Sequence, residues 1–398
     1  MKSISMNIQI VLFFIMSMLF FVSISAFDPF ISSYASDIGI TPTVIGGIVG
    51  ITGIASILTR LPIGILSDMF LKRKLFIQVG LLITIVCWTI AFILPNATTL
   101  YIGKISDGIT GSTWVIYNVM FAAYFGKKDA AKAVAILSVA SPASTLIGTT
   151  IGGLLANSYG YKFSFLIAVL AAVLALVLTF FLKEKKDYDN EDKYDIKILS
   201  EQVVDKNLWI ISILATSSIM LSFGNNTFTP LVALDLGATP FMISGLSNIY
   251  GLLNGIAAAL CVPFFYKRLG LINTALGGAL LQAITLIAIP YSSSLILIFI
   301  FQGLAGFAMG MNFTVLVSLS IDNIVQHKQS TRMGLFQSIY SLGMFAGPVI
   351  MGILTDAFSI KTAFLVLGTF AIISSVLTKL LLKKQNKQDR HQTTDLPA

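Results

Sequence analysis

The sequence predicts an all-α integral membrane protein with twelve transmembrane helices in two six-helix halves. The first observation is composition, because 56% of the 398 residues are hydrophobic and only 11% are charged, whereas soluble domains are about a quarter charged. The second is that the chain contains many apolar runs near the roughly 20 residues that cross a bilayer as a helix. The third is an internal repeat. Lipid is therefore expected to be the solvent for much of the surface.

The predicted spans are separated by Pro, Gly, Asn or charged residues, which interrupt apolar helices. They cover residues 8–28, 43–67, 75–94, 100–125, 133–155, 162–182, 208–233, 241–265, 270–290, 294–320, 333–356 and 361–382. The polar segment between the sixth and seventh spans carries mixed charge and is interpreted as a solvated linker. The predicted domains are an N-terminal bundle (1–182), a cytoplasmic linker (183–207), a C-terminal bundle (208–385) and a polar cytoplasmic tail (386–398).

The basic residues predict the orientation. With the N-terminus placed in the cytoplasm, all but four of the 26 Lys and Arg residues fall on the cytoplasmic side. Lys162 and Lys361 lie outside, and Arg60 and Lys104 lie within spans. Positive residues are retained on the cytoplasmic side, so both termini are expected there, in a plasma membrane of the bacterial inner-membrane type. The net charge of +8 thus indicates topology and not nucleic-acid binding.

The N-terminus also resembles a secretory signal, since Lys2 precedes an apolar run and the small residues 23–26. Cleavage there would leave eleven spans and reverse the favourable charge distribution. We therefore interpret residues 8–28 as the first span.

The repeat relates the two halves of the chain. Residues 35–47 (ASDIGITPTVIGG) and 233–245 (ALDLGATPFMISG) match at seven of thirteen positions, and Gly148–Leu166 matches Gly347–Leu365. Six spans per half would make both halves enter the membrane in the same direction. Parallel repeats of this kind characterise a class of alternating-access transporters whose substrate site lies between the halves near the midplane.

The sequence lacks the residue patterns that metal binding, ATP binding or catalysis would require. Cys87 and Cys261 lie in apolar runs and are interpreted as small core residues, while His327 and His391 lie in polar connections. The sequence contains no phosphate-binding loop of the Walker type. We expect no metal site, no cofactor and no enzymatic activity.

Several short motifs carry a family resemblance. After the second span, Gly64-Ile-Leu-Ser-Asp68-Met-Phe-Leu-Lys-Arg73 is similar to G-x-x-x-D-[RK]-x-G-[RK]-[RK], although Met69 and Leu71 replace a basic residue and a glycine. Residues 104–108 (KISDG) are similar to R-x-x-Q-G. Residues 148–153 (GTTIGG) are similar to the antiporter motif G-P-x-x-G-G with Thr149 in place of proline. The chain therefore resembles the major facilitator superfamily, most closely its twelve-helix drug and metabolite efflux branch of proton antiporters.

The resemblance implies a monomer whose first, fourth, seventh and tenth spans line a central cavity. It also implies that Asp68 caps or pairs with a neighbouring helix end, with an ordinary helix-end carboxylate as the alternative. Small residues suit close helix approach, and bending during gating is the alternative to packing alone. The expected gating and packing residues are Gly64, Asp68, Arg73, Gly148, Gly152, Gly153, Gly343, Gly347, Pro348 and Gly352.

Ionisable residues within the spans are costly and mark functional sites. Lys104 and Asp107 share one face of the fourth span, and Asp28 lies near the outer end of the first. On the fold implied by the resemblance these three face each other across the cavity, and Arg60 is grouped with them. One of the two carboxylates is expected to carry a coupling proton, with Lys104 setting its affinity. A fixed salt bridge at an outer gate and recognition of substrate charge are the alternatives.

The expected cavity is aromatic and amide-rich, which suits an amphipathic or modestly polar organic molecule. Each of these side chains could instead serve packing or join helices by hydrogen bonds. The candidates are Trp114, Asn118, Asn225, Asn226, Gln302, Met309, Asn312, Gln337 and Tyr340.

The sequence thus leads to one expected function and two alternatives. We expect a secondary transporter that exports small organic molecules by proton antiport. An uptake symporter driven by protons or sodium is the first alternative, and a lipid flippase or a transport-inactive sensor is the second. The expected partners are the substrate, the coupling ion and the bilayer.

Overall fold

The regular structure is helical throughout the part of the chain that a computed structural model describes, which is residues 6–70, 72–125, 129–184, 201–321, 324 and 326–394. Most of the predicted linker, residues 185–200, lies outside this part. The first half contains α1 (Met6–Ser25), α2 (Ile31–Asp37), α3 (Pro42–Phe70), α4 (Arg73–Ile93), α5 (Ala97–Ser112), α6 (Trp114–Phe125), α7 (Ala130–Ser138), α8 (Ala140–Tyr159) and α9 (Phe163–Phe181). The second contains α10 (Lys206–Asp235), α11 (Pro240–Leu260), α12 (Leu271–Ala288), α13 (Leu295–Ile321), α14 (Gln326–Ala357) and α15 (Ile360–Thr394).

Ten segments of the described chain are long and apolar enough to cross a membrane. The predicted fourth span, 100–125, is instead divided at Thr113 into α5 and α6, where the Thr113 hydroxyl bonds back to the Thr110 carbonyl at 2.7 Å. The apolar part of α15, Ile360–Val376, is a shorter stretch. The chain is therefore a multi-pass helical membrane protein, and the number of twelve spans stays a prediction.

The repeated segments fold alike. Gly39 and Gly237 both adopt a left-handed conformation, with φ of 79° and 81°, which costs a residue with a Cβ roughly 1–2 kcal/mol. In each turn the amide after the glycine bonds to the carbonyl five residues earlier, at 2.9 and 3.0 Å, as in a Schellman motif. Pro42 and Pro240 then begin α3 and α11. The sequence identity of the repeat is therefore an identity of turn structure.

The first span is interrupted where its acidic residue lies. α1 ends at Ser25, a short 3₁₀ turn covers Asp28–Phe30, and α2 follows at Ile31. Pro29 cannot donate a backbone hydrogen bond, which favours an interruption at this point. The predicted span 8–28 lies within the longer candidate span Met6–Asp37, and Asp28 occupies the interruption in it.

The interruption places this segment against the second half. Phe30 is fully buried and packs in one cluster with Phe228, Val232 and Ile243 of α10 and α11. Phe27, three residues earlier, is fully buried with first-half residues such as Trp88 and Phe165. Asp28 thus lies between two buried phenylalanines, of which Phe27 packs within the first half and Phe30 packs against the second.

The halves also meet along α3 and α14, where glycines allow close approach. A Cβ on Gly46, Gly50 or Gly53 would overlap backbone atoms of α14. Past these contacts, toward the end of α3, Leu66, Met69 and Phe70 are exposed. The glycine contacts between α3 and α14 therefore lie in the half of α3 nearer its start.

Candidate functional site

Three charged side chains meet inside the first half. Lys104 Nζ lies 2.6 Å from Asp28 Oδ1 and 3.1 Å from Asp107 Oδ2. The Lys104 and Asp107 side chains are only 5% and 4% exposed, whereas that of Asp28 is 51% exposed. We call Asp28, Lys104 and Asp107 the charge triad. The structure brings these three predicted residues together, with one carboxylate accessible and the other buried.

Trp88 of α4 completes the surroundings of the triad. Its indole Nε1–H donates to Asp107 Oδ1 at 2.8 Å, and its side chain is fully buried. The Phe27 ring lies 5.7 Å from Lys104 Nζ, within the range of a cation–π interaction. Sequence reasoning missed Trp88 because its span holds no charge. The signal was there, since a buried indole N–H usually needs an acceptor.

Hydroxyl groups on successive turns of α3 bind α5, the helix that carries Lys104 and Asp107. Thr52 Oγ1 donates to the Lys104 carbonyl at 3.1 Å, and Ser56 Oγ donates to the Gly108 carbonyl at 3.4 Å. One turn further on, the hydroxyls of Thr59 and Ser112 lie 2.9 Å apart. The main chain beside Lys104 is therefore held by α3.

Arg60 is not part of the triad. It lies two turns beyond Thr52, about 12 Å further along the helix axis. Its Nη1 donates to Gln337 Oε1 in α14 at 3.2 Å, and Tyr340 also lies against it. The predicted grouping of Arg60 with the acidic residues therefore does not hold in the structure. Arg60 and the predicted cavity residues Gln337 and Tyr340 instead form a contact between the halves.

The predicted cavity residues of the fourth span lie in an aromatic environment. Trp114 is half-buried and packs against Phe21, with ring centroids 4.6 Å apart, and stacks on Phe20 at 6.2 Å. Asn118 donates from Nδ2 to the Trp114 carbonyl at 2.9 Å, within its own helix. Trp114 therefore presents the accessible apolar surface here.

The predicted amides of the second half bond to one another. Asn225 Nδ2 donates to Gln302 Oε1 at 2.9 Å, and Gln302 Nε2 donates to Asn226 Oδ1 at 2.7 Å. This series of hydrogen bonds continues through Ser222, whose hydroxyl lies 2.5 Å from that of Tyr250. Asn225 and Gln302 are each only 2% exposed, whereas Asn226 is half-buried. The network joins α10, α11 and α13, and Asn226 is its more accessible amide.

Two further predicted cavity residues lie inside the second half. Asn312 is 4% exposed and donates from Nδ2 to Ser218 Oγ at 2.7 Å. Met309 is 5% exposed. In this conformation both contribute to packing within the half and not to an accessible surface.

Six of the seven predicted glycines divide into two groups. Gly153 faces Ser244 of α11, and Gly352 faces the Pro42 carbonyl of α3, so both lie between the halves. The others allow close packing within one half: Gly148 and Gly152 against the end of the first span, and Gly343 and Gly347 against α10. The Pro348 carbonyl approaches Gly46. Repeat partners therefore serve the same kind of contact in each half.

Two polar bridges between the halves were not predicted. Asn248 of α11 accepts from Thr149 Oγ1 at 2.6 Å and donates to Thr150 Oγ1 at 2.9 Å. At the end where α3 begins, the Thr43 amide donates to Asp356 Oδ2 at 2.8 Å. Thr149 is the residue that replaces the motif proline, and its hydroxyl supplies an inter-half contact that proline could not make.

The segment that resembles the family's loop motif is described only in part. The Gly64 carbonyl accepts from Ser67 Oγ at 2.8 Å. The Arg73 amide donates to Glu184 Oε1 at 2.8 Å, at the start of the linker. The Asp68 side chain lies outside the described set, so its predicted capping role stays a prediction.

Sequence comparison identifies the family. The model of the Major Facilitator Superfamily matches residues 13–291 and 211–396. A transporter of this superfamily from Methanocaldococcus jannaschii is 25% identical over 89% of this chain and 93% of its own length. A homologue of the multi-drug resistance efflux pump PmrA from Lactococcus lactis is 25% identical over 91% and 92%. The Escherichia coli multidrug resistance protein MdtG is 22% identical over 70% of each chain.

Solved structures share the fold. A bacterial homologue of the human lysosomal transporter Spinster, in an inward-facing and unoccupied conformation, superposes with a TM-score of 0.80 at 13% identity, over 96% of this chain and 97% of the other. The nucleoside transporter NupG gives a TM-score of 0.78 at 14% identity, over 94% and 99%. Together with the repeat and the helical architecture, the family match shows that this chain belongs to the Major Facilitator Superfamily.

Proposed function

We propose that this transporter exports small amphipathic organic molecules in exchange for protons, by alternating access. The observation that carries the proposal is the charge triad, in which one lysine neutralises only one of two carboxylates. When all three groups are ionised, the triad keeps one uncompensated negative charge. A proton or a cationic group of a substrate removes that charge, and competition between the two is what antiport requires.

The geometry supports a simple exchange step. Lys104 Nζ lies between the two carboxylates, at 2.6 Å and 3.1 Å. Protonation of one carboxylate leaves Lys104 paired with the other, so no buried charge is left alone. Because α3 holds the Lys104 carbonyl and also packs on α14, a change in this pairing acts on an element that forms part of the contact between the halves.

The conformation supports the alternating part of the proposal. The described inter-half contacts run from Thr43–Asp356 through the α3 glycines to Arg60–Gln337. With both termini in the cytoplasm, as the basic residues indicate, the Thr43–Asp356 and glycine contacts close the outer side, and Arg60–Gln337 lies deeper in the membrane. We propose that the conformation is inward-facing, in a plasma membrane, and that the protein functions as a monomer.

The energy available from one proton is sufficient. Exchange of one proton for one neutral substrate molecule moves one net charge, and one charge moved through 100 mV is worth about 2.3 kcal/mol. At about 1.4 kcal/mol for each factor of ten, this supports nearly a fifty-fold concentration ratio of substrate.

The multidrug efflux proteins among the relatives support export, although they are distant. An uptake symporter for a small polar nutrient is the second candidate, and the amide network around Asn226 favours it. Amide groups recognise polar solutes by paired hydrogen bonds, and Asn226 is half-buried.

The test uses the purified protein in liposomes that contain a pH-sensitive dye. A compound panel is added with and without an imposed proton gradient. Export predicts that a substrate drives proton movement in the opposite direction, and that Asp28→Asn, Asp107→Asn or both abolish it. Accumulation with protons moving in the same direction favours uptake. Undiminished gradient-driven transport in both variants would show that the triad is a static bridge.

A further inference from the structure

We propose that Arg60, Gln337 and Tyr340 form a binding site for an acidic group, and that the transported molecules are amphipathic zwitterions whose carboxylate or phosphate binds there. The proposal deepens the proposed function and rests on it, because it names the substrate class of that transporter. The site lies between the halves, since Arg60 belongs to α3 and the other two residues belong to α14.

The first argument is that Arg60 is a cation whose described partners are neutral. Its Nη1 donates to Gln337 Oε1 at 3.2 Å, and the Tyr340 phenol lies against it. Among the described residues no carboxylate forms an ion pair with Arg60, whereas Lys104 in the same half contacts two. A charge in a lipid-spanning segment is costly unless it is paired. The acidic group of a ligand would supply the missing partner.

The second argument is that hydrogen-bond donors remain for such a ligand. Arginine carries five N–H donors in a planar fork that fits carboxylate and phosphate oxygens, and the bond to Gln337 uses one of them. Gln337 and Tyr340 lie one turn apart on α14, so the amide and phenol groups share one face. The Tyr340 ring is held by Phe313 and Phe336, each with its centroid 5.4 Å away. The donors around Arg60 are therefore fixed in place.

The third argument is access. The side chains of Arg60, Gln337 and Tyr340 are all partly accessible in this conformation. Arg60 lies in the later part of the candidate span Pro42–Ser67, about 10 Å along the helix axis from its end. With that end in the cytoplasm, as the basic residues indicate, the site is reached from the side on which an exporter loads its substrate.

An apolar surface lies at the same level of α3. The hydroxyl of Thr59, the residue before Arg60, lies 2.9 Å from that of Ser112, and Trp114 begins the next helix two residues later. Ile63, one turn after Arg60, packs on the same apolar cluster as Trp114. The accessible part of Trp114 is therefore placed to hold the apolar body of a molecule whose acidic group binds Arg60.

The charge triad supplies the other part of the substrate class. Its uncompensated charge is negative, whereas that of Arg60 is positive. Both belong to the first half, and they are about 12 Å apart along the axis of α3, since Thr52 marks the level of the triad. A molecule with a cationic and an acidic group pairs with both sites and carries no net charge. An amphipathic amine without an acidic group would leave Arg60 unpaired.

The experiment measures binding and needs no transport. The compound panel is built in matched sets: an aromatic amine, the same amine with a carboxylate, and the same amine with a phosphate, as in tyramine, tyrosine and tyramine O-phosphate. Binding is measured as the rise in the thermal unfolding temperature of the purified protein in detergent. We expect an acid-bearing member to bind about tenfold or more tightly than its amine. The tighter of the carboxylate and the phosphate identifies the acid.

Two variants remove the charge of the site in different ways. Arg60→Gln deletes the cation, and Gln337→Glu places a carboxylate against Arg60 and neutralises it within the protein. We expect either variant to abolish the preference for the acid-bearing compounds without weakening the binding of the amines. Arg268→Gln is the matched control, because Arg268 is exposed and lies over the Phe264 ring, 4.2 Å from its centroid. It should keep the wild-type preference.

The proposal is overturned if the acid-bearing compounds bind the wild type no more tightly than their amines, or if the preference survives both variants. The pair Arg60–Gln337 would then serve only to hold the halves together. Should Arg60→Gln fail to fold, as its unfolding without compounds would reveal, Gln337→Glu still decides, because it adds an ion pair.

Failure of this proposal and failure of the proposed function give different results. If the acid preference depends on Arg60 but no compound moves protons in the liposome assay, proton-coupled export fails and the acid site stands. If amines without an acidic group drive proton movement equally in the wild type and in Arg60→Gln, export stands and the acid site fails.

Discussion

At the scale of single residues, the cost of buried charge decides where the ionised side chains lie. A charge in a lipid-spanning segment is expensive, and it persists when it is paired. Lys104 is held between two carboxylates, and Arg60 is bonded to Gln337. Asp28 and Gln337 come from other parts of the chain, whereas Asp107 lies one turn from Lys104 on the same helix. The triad differs because its pairing is incomplete by one negative charge, and this imbalance makes it suitable for exchange.

A further ion pair, between Asp205 and Arg332, lies at the start of the second half, where Asp205 is outside the spans. Arg332 donates from Nη1 to Asp205 Oδ2 at 2.5 Å and to Gln202 Oε1 at 2.7 Å. Burial by itself would raise the pKa of Asp205, but the hydrogen bonds from Arg332 and from the Asn207 amide outweigh it and hold that pKa below its ordinary value. Arg332 thereby fastens the end of the linker to α14.

This pairing predicts a pH-dependent stability. A lowered folded-state pKa contributes stability above the unfolded-state pKa, near 3.8, and that contribution is lost as the pH falls through the folded-state value. We expect Asp205→Asn to lose about 1 kcal/mol at neutral pH, measured by thermal unfolding in detergent. The difference from the wild type should shrink as the pH falls below about 4. If the stability difference between the wild type and Asp205→Asn is the same at neutral pH and below about pH 4, the ion pair is not its source.

At the scale of elements, α3 connects the triad to the contact between the halves. One face carries the hydroxyls of Thr52, Ser56 and Thr59 toward α5. Another face carries Gly46, Gly50 and Gly53 toward α14. Because α3 is held on both faces, we expect it to couple pairing in the triad to closure between the halves.

The glycine face predicts the effect of added side chains. A Cβ on Gly53 would lie 2.6 Å from the Ser341 carbonyl oxygen and 2.8 Å from the Phe345 nitrogen, both main-chain atoms of α14. We expect Gly53→Leu to prevent closure on this side and to reduce transport strongly in the liposome assay. Gly255→Ala is the control, because nothing lies within 4 Å of its Cβ position. If Gly53→Leu transports at the wild-type rate, α3 and α14 do not need this contact.

The sequence predicted part of this element and not the rest, for a physical reason. Local patterns placed α3 between a turn at Pro42 and the charged residues after Phe70, because helix limits depend on neighbouring residues. The contact of Arg60 with Gln337 joins residues far apart in the chain, and no local pattern encodes it. The small-residue spacing of Gly46, Gly50 and Gly53 was a readable signal of close helix packing.

At the scale of the whole molecule, the repeat in sequence is a repeat in contacts. Gly153 and Gly352 are repeat partners, and each approaches the opposite half. Phe165 and Phe364 are also partners, and both are fully buried. The charges break this symmetry, because Asp28 has Asn226 as its partner. The first half therefore carries the acidic triad where the second carries the amide network.

This asymmetry explains which site residues could be predicted. Charged residues in apolar runs are conspicuous, helix spacing placed Lys104 and Asp107 on one face, and the fold implied by the family resemblance placed Asp28 opposite them. Asn225, Gln302 and Asn312 were grouped as cavity residues for the same reason, yet they are buried and bonded within the second half. Whether an amide faces a cavity or a neighbouring helix depends on helix rotation, which an apolar sequence with few polar residues does not determine.

The two polar bridges predict how the conformational equilibrium responds to substitution. Asn248→Ala removes two inter-half hydrogen bonds, and Asp356→Asn weakens the interaction with the Thr43 amide. At roughly 1 kcal/mol for each bond, the double variant should favour the conformation open on this side by about tenfold or more. Thr369→Ala is the control, because its hydroxyl bonds to Leu365 within its own helix.

The measurement is the distance between spin labels at positions 159 and 236, one on each half, where Tyr159 and Leu236 are exposed. Cys87 and Cys261 are first replaced by Ala. We expect the double variant to populate a longer distance that is minor in the parent and in Thr369→Ala, because loss of the bridges removes contacts made only when this side is closed. An unchanged distance distribution would mean that these two bridges are not needed and that the remaining contacts hold the halves together.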